Sequence, residues 1–227
     1  MATPAAEVSE APLVERPEIA RAPRVYDRSS LDGDYLVMIA GQTPEDWELY
    51  APEKQFCEYI DGIVYMPSPV SYRHQDHAGF LFHLLDAYRS ERGGWKIMMG
   101  PAVLRLQVAR KFEPDIFVLP NEAREHGNER AVLVIEILST NREHDLVLKR
   151  VVYLEERVPE VWFLDERDRA LLVDRQTGEG YEREVRSEGV LRSTGVPGFW
   201  IDVSWLWSDP LPNPRRCLEA ILAGPPA

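Results

Sequence analysis

The sequence predicts an α/β protein in which a mixed β-sheet carries helices on its faces. Three observations lead to this prediction. Apolar residues recur at helical spacing between positions 80 and 88. Residues 116–119 and 132–138 are apolar on both faces, as expected for central strands that helices cover on each side. Helical and strand patterns then alternate along the chain, which is typical of helices packed on a sheet.

The first predicted element is an N-terminal β-hairpin. Residues 56–60 and 63–66 are rich in apolar and aromatic side chains. They flank Asp61-Gly62, a dipeptide that favours tight hairpin turns. We therefore expect two antiparallel strands at the start of the folded region.

A helix and a strand should follow the hairpin. The helix is expected from about Tyr72 to Arg92, because Gly93-Gly94 can end a helix by adopting left-handed backbone angles. Apolar and polar residues alternate over residues 102–108, which predicts a strand with one face more exposed to water.

The second half should contain another helix and another hairpin. Residues 140–143 fit a capping box, and apolar residues over 146–154 predict a helix that ends before Pro159. Residues 161–165 and 170–174 are expected to form an additional β-hairpin.

These patterns divide the chain into three parts. Residues 1–25 are rich in proline and lack apolar periodicity, so they should form a flexible arm. Residues 26–208 should form a single domain, and residues 209–227 a C-terminal tail with a short helix. The pattern weakens after residue 181, but the tryptophans at 200, 205 and 207 predict a packed segment.

Composition favours an ordinary folded protein of the cytoplasm. Of the 227 residues, 44% are hydrophobic, which is enough for a buried core without disulfides. Cys57 and Cys217 are far apart and the chain shows no leader segment, so a reducing compartment is expected. No apolar run approaches the roughly 18 residues of a membrane-spanning helix, so we expect a soluble chain with no membrane partner.

The charge of the chain restricts its partners. A formal net charge of -12 argues against broad, sequence-independent adhesion to nucleic acid. A bound cation could offset this if several acidic residues converged on it. The motifs for a phosphate-binding loop, a serine-hydrolase elbow and a dinucleotide fingerprint are missing from the sequence.

Two carboxylates stand where the pattern predicts apolar residues. Glu136 interrupts the apolar run 132–138, and Asp115 opens the apolar strand 116–119. Burying an unpaired carboxylate costs several kcal/mol, so each needs a cation or a proton. If the two strands are neighbours, both side chains can reach one point at the edge of the sheet.

A metal ion could account for this pair. Carboxylate oxygens suit Mg²⁺ or Mn²⁺, which can activate an attacking water and neutralise charge on a phosphate. The alternative is that Glu136 pairs with a buried Arg or Lys while Asp115 caps a strand. The pattern alone gives the two hypotheses about equal weight.

A family resemblance favours the metal. The residues that carry it are Glu58-Tyr-Ile-Asp-Gly62, Pro67-Ser-Pro69 with His74-Gln75, Glu113-Pro-Asp115, Val134-Ile-Glu136-Ile-Leu-Ser139, Asp145, Lys149, Tyr153, and Val158-Pro-Glu-Val-Trp162 with Asp165. In order and spacing, residues 57–175 resemble the Uma-type putative restriction endonucleases of the PD-(D/E)XK superfamily. The resemblance implies a restriction-endonuclease-like fold and metal-dependent hydrolysis of phosphodiester bonds, with DNA as the expected substrate.

The resemblance also implies roles for five residues. Asp115 and Glu136 would be the metal-binding acids, and Glu58 a third carboxylate near the metal. The usual lysine position holds Leu138, so its role would pass to Lys149. His74 would contact phosphate or metal-bound water.

Spacing alone is also consistent with simpler roles for three of these residues. Lys149 could form a surface pair with Asp145, worth about 0.2–0.5 kcal/mol. Glu58 could be an exposed strand residue. His74 and His77 could bind zinc, although helix capping and packing account for such a pair more often.

Three functions therefore remain open. The leading hypothesis is an endonuclease, for which a homodimer would place two symmetric sites on two strands. A catalytically inactive nucleic-acid-binding or assembly protein is consistent with Leu138 and the acidic composition. A metallohydrolase for small phosphoesters would need no long polyanion to dock.

Overall fold

The structure is a computed structural model, and it describes residues 24–25, 36–50, 57–124, 130–139, 142 and 144–226. The predicted arm therefore lies outside the described residues, except for positions 24 and 25, which form a short strand. The predicted capping box also lies outside them, apart from Arg142.

The first half of the described chain contains nine strands and two helices. In order they are β1 (Arg24–Val25), β2 (Leu36–Ala40), α1 (Pro44–Tyr50), β3 (Glu58–Ile60), β4 (Ile63–Pro67), α2 (Tyr72–Arg92), β5 (Trp95–Met99), β6 (Leu104–Gln107), β7 (Arg110–Phe112), β8 (Ile116–Pro120) and β9 (Leu133–Ile137). The predicted hairpin and the predicted helix 72–92 are confirmed by β3, β4 and α2.

The second half begins with a π-helical turn. The elements are the π-turn (His144–Lys149), α3 (Arg150–Glu155), β10 (Glu160–Asp165), β11 (Ala170–Thr177), β12 (Gly180–Arg186), β13 (Val190–Arg192), β14 (Trp200–Asp202), a 3-10 turn (Val203–Trp207) and α4 (Pro214–Ala223). The additional hairpin predicted around residues 166–168 is confirmed by β10 and β11, which pair in antiparallel orientation. A short C-terminal helix is also confirmed by α4.

The strands form two six-stranded sheets and one small hairpin. The first sheet has the order β1-β2-β4-β3-β7-β6, and the second sheet has the order β12-β11-β10-β9-β8-β5. In the second sheet β9 and β10 are parallel, while the other neighbours are antiparallel. This is the mixed sheet that the sequence predicts, and the predicted N-terminal hairpin lies in the separate first sheet.

The central strands of the second sheet are buried on both faces, as predicted. In β9, Leu133, Ile135 and Ile137 pack with the core that contains the apolar side of α2. The alternate residue Val134 packs with Tyr153 of α3 and residues of the first sheet. Because side chains alternate along a strand, Glu136 shares the face of Val134.

Helix α2 is fixed at both ends. The Ser71 hydroxyl accepts a hydrogen bond from the backbone N–H of His74, which is a standard N-cap. At the other end Gly93 has φ 70° and donates its N–H to the carbonyl of Arg89. The helix thereby begins beside the loop that joins it to β4.

The C-terminal part of the chain packs against this helix. Cys217 and Ile221 of α4 are buried in the same core as α2. Trp200 is buried and donates its indole N–H to the carbonyl of Ile221, as expected for a packed segment. Within the described residues, every helix is too short or too polar to cross a membrane.

Candidate active site

The two predicted acids come from neighbouring antiparallel strands. Ile116 of β8 pairs with Ile135 of β9, so the next position in register brings Asp115 beside Glu136. The Asp115 carboxylate also accepts a hydrogen bond of 2.7 Å from the backbone N–H of Ile137. The two strands are therefore neighbours, as the sequence-based hypothesis of a shared site for both carboxylates requires.

Glu136 is almost completely buried, with 3% of its surface exposed. Its carboxylate accepts a hydrogen bond of 2.6 Å from the Tyr153 hydroxyl and contacts Lys149 Nζ at 3.2 and 3.3 Å. Burial raises the pKa of Glu136 to about 8, and Asp115 and other nearby acids add to that rise, while Lys149 opposes it. The carboxylate therefore stands in a site where negative charge is in excess.

Lys149 lies inside the protein, at the end of the π-turn. Its ammonium is 2.9 Å from a Glu58 oxygen and 3.7 Å from an Asp145 oxygen. Burial lowers the pKa of Lys149, but Glu136, Glu58 and Asp145 outweigh this effect and raise it well above its ordinary value. Lys149 and Asp145 are both buried, so the hypothesis of a surface pair is wrong.

The π-turn accounts for the position of Asp145 and Lys149. Short π-helical segments widen the backbone by one residue per turn and occur often at functional sites. Both buried residues of this segment, Asp145 and Lys149, turn toward the acids of the second sheet. Leu138, at the end of β9, packs with apolar neighbours instead.

Glu58 reaches the site from the first sheet. Its carboxylate is buried and contacts Lys149 on one oxygen and His144 Nε2, at 3.1 Å, on the other. Burial raises the pKa of Glu58, but Lys149 and His144 outweigh this and lower it below its ordinary value. The hypothesis of an exposed strand residue is therefore wrong.

His74 contacts Asp115 directly. Its Nε2 atom is 3.2 Å from Asp115 Oδ2. Burial lowers the pKa of His74, but the hydrogen bond to Asp115 and the charge of that carboxylate raise it above its ordinary value. The resemblance implied a contact with phosphate or metal-bound water, and the structure places His74 beside one of the two acids.

His77 does not share a site with His74. Its ring nitrogens lie 3.0 Å from the Arg73 carbonyl and 2.8 Å from the Leu206 carbonyl. Because both nitrogens face backbone oxygens, the geometry opposes a zinc pair and agrees with helix packing.

The acids line a cavity of about 520 Å³. Its floor includes Asp115, Glu136, Asp145 and Lys149. Its rim consists of the loop between β4 and α2, the turn between β10 and β11, and Arg142 before the π-turn. The rim residues are Pro67, Ser68, Pro69, Val70, Ser71, Arg142, Asp165, Glu166 and Arg167.

Two further residues of the site had no role in the sequence-based hypothesis. Glu113 lines the cavity, accepts a hydrogen bond from the Cys57 N–H, and has its pKa raised to about 8 by burial and by Glu58. Tyr153 holds Glu136 through its hydroxyl. Glu113 stands two residues before Asp115, and Tyr153 stands four residues after Lys149. In extended chain and in a helix, respectively, these spacings place the two side chains on the same side.

The donor set fits a hard divalent cation with few protein ligands. Mg²⁺ is usually held by one or two carboxylates and completes its shell with water and phosphate, and Asp115 and Glu136 supply such a pair. In the described residues, groups of three or more His, Cys, Asp or Glu do not form a metal cage. Glu58 instead contacts Lys149 with one oxygen and His144 with the other.

Comparisons with known proteins agree with this fold. The Uma2 family model, described as a putative restriction endonuclease, matches residues 43–204. A crystal structure of a putative nuclease of DUF820 from Anabaena variabilis matches with a TM-score of 0.57 and 17% identity, over 73% of this chain and 97% of that one. At that identity the likeness shows the fold. The comparison with curated proteins returned no match.

Proposed function

Because the chain belongs to the Uma2 family of putative restriction endonucleases, we propose that it hydrolyses phosphodiester bonds in DNA with a bound Mg²⁺ or Mn²⁺ ion. The observation that carries the proposal is the pair Asp115 and Glu136 on adjacent strands, with Lys149 Nζ 3.2 Å from Glu136. Families with this fold generally use divalent metals, which supports the choice of ion.

Asp115 and Glu136 are the residues that would hold the ion. When bound, it would lower the pKa of the attacking water and neutralise charge on the phosphate. The two side chains are anchored before any ion arrives, Asp115 by the Ile137 N–H and Glu136 by the Tyr153 hydroxyl. Such anchoring fixes the ligand atoms and reduces reorganisation during the reaction.

Lys149 takes the role of the lysine that the usual motif has at the position of Leu138. Its ammonium reaches the Glu136 carboxylate from the π-turn rather than from β9 itself. Glu58 and Asp145 hold that ammonium in place and keep it charged. Lys149 would thereby donate a hydrogen bond to a phosphate oxygen or orient the attacking water.

His74 would assist through its contact with Asp115. The contact of 3.2 Å to Asp115 keeps its ring at the cavity and favours the protonated form. A protonated imidazole can donate a hydrogen bond to a phosphate or to a water molecule. Glu58 would act through Lys149, and as a third acid near the ion.

Cleavage by purified protein tests this proposal. Wild-type protein with Mn²⁺ should cut DNA, and Asp115→Ala should reduce the rate at least about 100-fold, since removal of one fixed electrostatic group typically costs this much. Asp86→Ala is the matched control, because that exposed acid of α2 pairs with Arg89 and does not line the cavity. The proposal fails if wild type leaves DNA intact, or if Asp115→Ala cuts as well.

One observation favours a non-catalytic alternative. Lys149 already compensates part of the charge of Glu58 and Glu136, so the cluster is partly neutralised by the protein itself. A binding or assembly protein needs only this internal neutralisation of the acids and no metal ion. A melting temperature that Mn²⁺ leaves unchanged, together with no cleavage, would favour this alternative.

A second observation favours a smaller substrate. The cavity of about 520 Å³ is in the size range of small-ligand pockets, and several carboxylates line it. A phosphoesterase for small molecules would cut a dinucleotide but not a plasmid. The same assay with both substrates separates this alternative from an endonuclease.

A further inference from the structure

An exposed aromatic residue lies next in sequence to residues that line the cavity. Tyr72, the first residue of α2, is 93% exposed, and Val70 in the preceding loop is 39% exposed. Single exposed apolar residues are common on proteins and need no special cause. Here, however, two of them flank Ser71, which lines the cavity together with Val70. The rim therefore has an apolar surface beside an acidic floor.

The opposite segment of the rim carries a cation. Arg167 lies in the turn between β10 and β11, is exposed, and lines the cavity. Its neighbours at the rim are paired, since Arg142 contacts Asp165 and Asp168, and Arg73 contacts Glu166. Among the described residues, Arg167 forms no such ion pair. It is therefore available to an anion from outside the protein.

A braced contact holds these two segments together. Arg73 follows Tyr72, Glu166 precedes Arg167, and the Arg73 and Glu166 side chains meet at 3.0 Å. Arg73 also donates hydrogen bonds to the carbonyls of Leu206 and Ser208, at 3.5 and 2.9 Å. Tyr72 and Arg167 are therefore each one residue away, along the chain, from the contact that joins the two segments.

The depth of the acids limits what can reach them. Glu136 is 3% exposed and the Asp115 side chain 17% exposed, so a phosphodiester must enter the cavity to meet both. In a stacked duplex the neighbouring bases cover each base face, whereas an unpaired strand offers free base faces to an exposed ring such as that of Tyr72. An unpaired strand can bend a single phosphate inward. Aromatic stacking and cationic contacts are the usual means of holding such strands.

We propose that this site acts on unpaired nucleic-acid strands, with Tyr72 stacking on a base next to the scissile phosphate and Arg167 contacting a neighbouring phosphate. The inference deepens the proposed nuclease function and rests on it. It also fits the net charge of -12, because a short unpaired segment brings few phosphates to an acidic protein.

Binding measured without a metal tests the inference independently of cleavage. A labelled single-stranded oligonucleotide in EDTA should bind more tightly than the same oligonucleotide in a duplex. Tyr72→Ala should weaken single-strand binding roughly 5- to 150-fold, the range for loss of one stacked base, while Tyr72→Phe should bind within about twofold of wild type. Arg167→Ala should weaken binding and make it less dependent on salt.

Two substitutions away from the rim serve as controls. Val108→Ala removes an apolar side chain that is 74% exposed in the turn after β6. Arg216→Ala removes an exposed arginine of α4. Both residues lie outside the loop between β4 and α2 and the turn between β10 and β11, so both variants should bind like wild type. Because Tyr72 is almost fully exposed, its variants should also keep the melting temperature of wild type.

The outcomes separate this inference from the proposed function. Equal binding of duplex and single strand, or wild-type binding by Tyr72→Ala, would overturn the inference, even if Mn²⁺-dependent cleavage required Asp115. Single-strand binding that depends on Tyr72, without cleavage in Mn²⁺, would overturn the proposed nuclease and support the recognition of unpaired strands. Cleavage of single strands ahead of duplexes, lost in Tyr72→Ala, would support both.

Discussion

Two buried clusters of charged side chains in this protein differ in their ratio of cations to carboxylates. In the Asp174 cluster, one fully buried carboxylate accepts hydrogen bonds from Arg150 at 2.8 and 3.0 Å and from Arg183 at 2.9 and 2.6 Å. Burial raises the pKa of Asp174, but the two arginines outweigh this and lower it below its ordinary value. Two cations therefore enclose one acid, and the cluster ties α3 to β11 and β12.

The Lys149 cluster has the opposite balance. One ammonium contacts Glu58, Glu136 and Asp145, and Asp115 lies beside them. Burial and the neighbouring acids raise the pKa of Glu136 and of Asp145, so these carboxyls resist ionisation. Asp174 is enclosed by protein cations, whereas the Lys149 cluster opens on a cavity. An external cation would therefore relieve a charge imbalance at the Lys149 cluster but not at Asp174.

The largest expected effect comes from removing the ammonium. Lys149→Met should lower the free energy of unfolding in EDTA by roughly 3–5 kcal/mol, because it leaves buried acids without their cation. If the cluster is a metal site, saturating Mn²⁺ should restore much of this loss by binding the folded state. Urea unfolding with and without Mn²⁺ measures both quantities.

One outcome would contradict the prediction for Lys149→Met. A variant that Mn²⁺ does not stabilise would mean that the acids bind no divalent ion and that the Lys149 cluster, like the Asp174 cluster, only supports the fold. Lys96→Met is the matched control, because that exposed lysine on β5 contacts a backbone carbonyl and no buried acid.

Removal of Asp174 should lower the free energy of unfolding somewhat less, and Mn²⁺ should not reverse the effect. Asp174→Ala leaves Arg150 and Arg183 without their partner, but these side chains are 28% and 30% exposed and can be hydrated. We expect the free energy of unfolding, measured in urea, to fall by roughly 2–4 kcal/mol, which is less than for a fully buried partner. Mn²⁺ should not restore it. Unchanged stability, or rescue by Mn²⁺, would contradict a purely structural role.

The third expected effect is a dependence of stability on pH. Glu136 and Glu113 have pKa values raised to about 8, so the folded state binds more protons than the unfolded state above pH 4.5. Stability in EDTA should therefore fall as pH rises from about 5 to 8. His74, whose pKa is also raised, acts in the same direction. The lowered pKa values of Glu58 and Asp174 act only in stronger acid.

Unfolding measured across this pH range checks the sign. Glu136→Gln should make the dependence smaller, whereas Glu219→Gln, at an exposed acid of α4, should leave it unchanged. With Mn²⁺ the slope should weaken or reverse, because an ion binds the deprotonated carboxylates. A wild type whose stability rises with pH in EDTA would contradict the raised pKa values.

Much of the second sheet could be predicted from the sequence. Its central strands are apolar on both faces, and α2 has a clear start and stop, so local patterns define them. The strands that were not predicted include β2, β5 and β7. They are short, and their pairing with distant strands rather than their own pattern holds them in a sheet.

The site could be predicted only in part. Glu136 stood out because a charge inside an apolar strand is unusual. Glu58 and Lys149 were identified by family resemblance, because their contact depends on the packing of the first sheet against the π-turn. A pattern along one element cannot reveal such a contact. The same holds for the Arg73 to Glu166 contact at the rim, which joins two segments far apart in the chain.

The division of the site between two sheets also governs when the site comes into being. Glu58 belongs to β3 of the first sheet, whereas Glu136 belongs to β9 of the second. A nascent chain that has formed only one sheet holds these acids apart, and Lys149 then lacks part of its support. The chemical groups of the site therefore come together only when both sheets have formed and packed against each other, so a partly folded chain would lack the complete site.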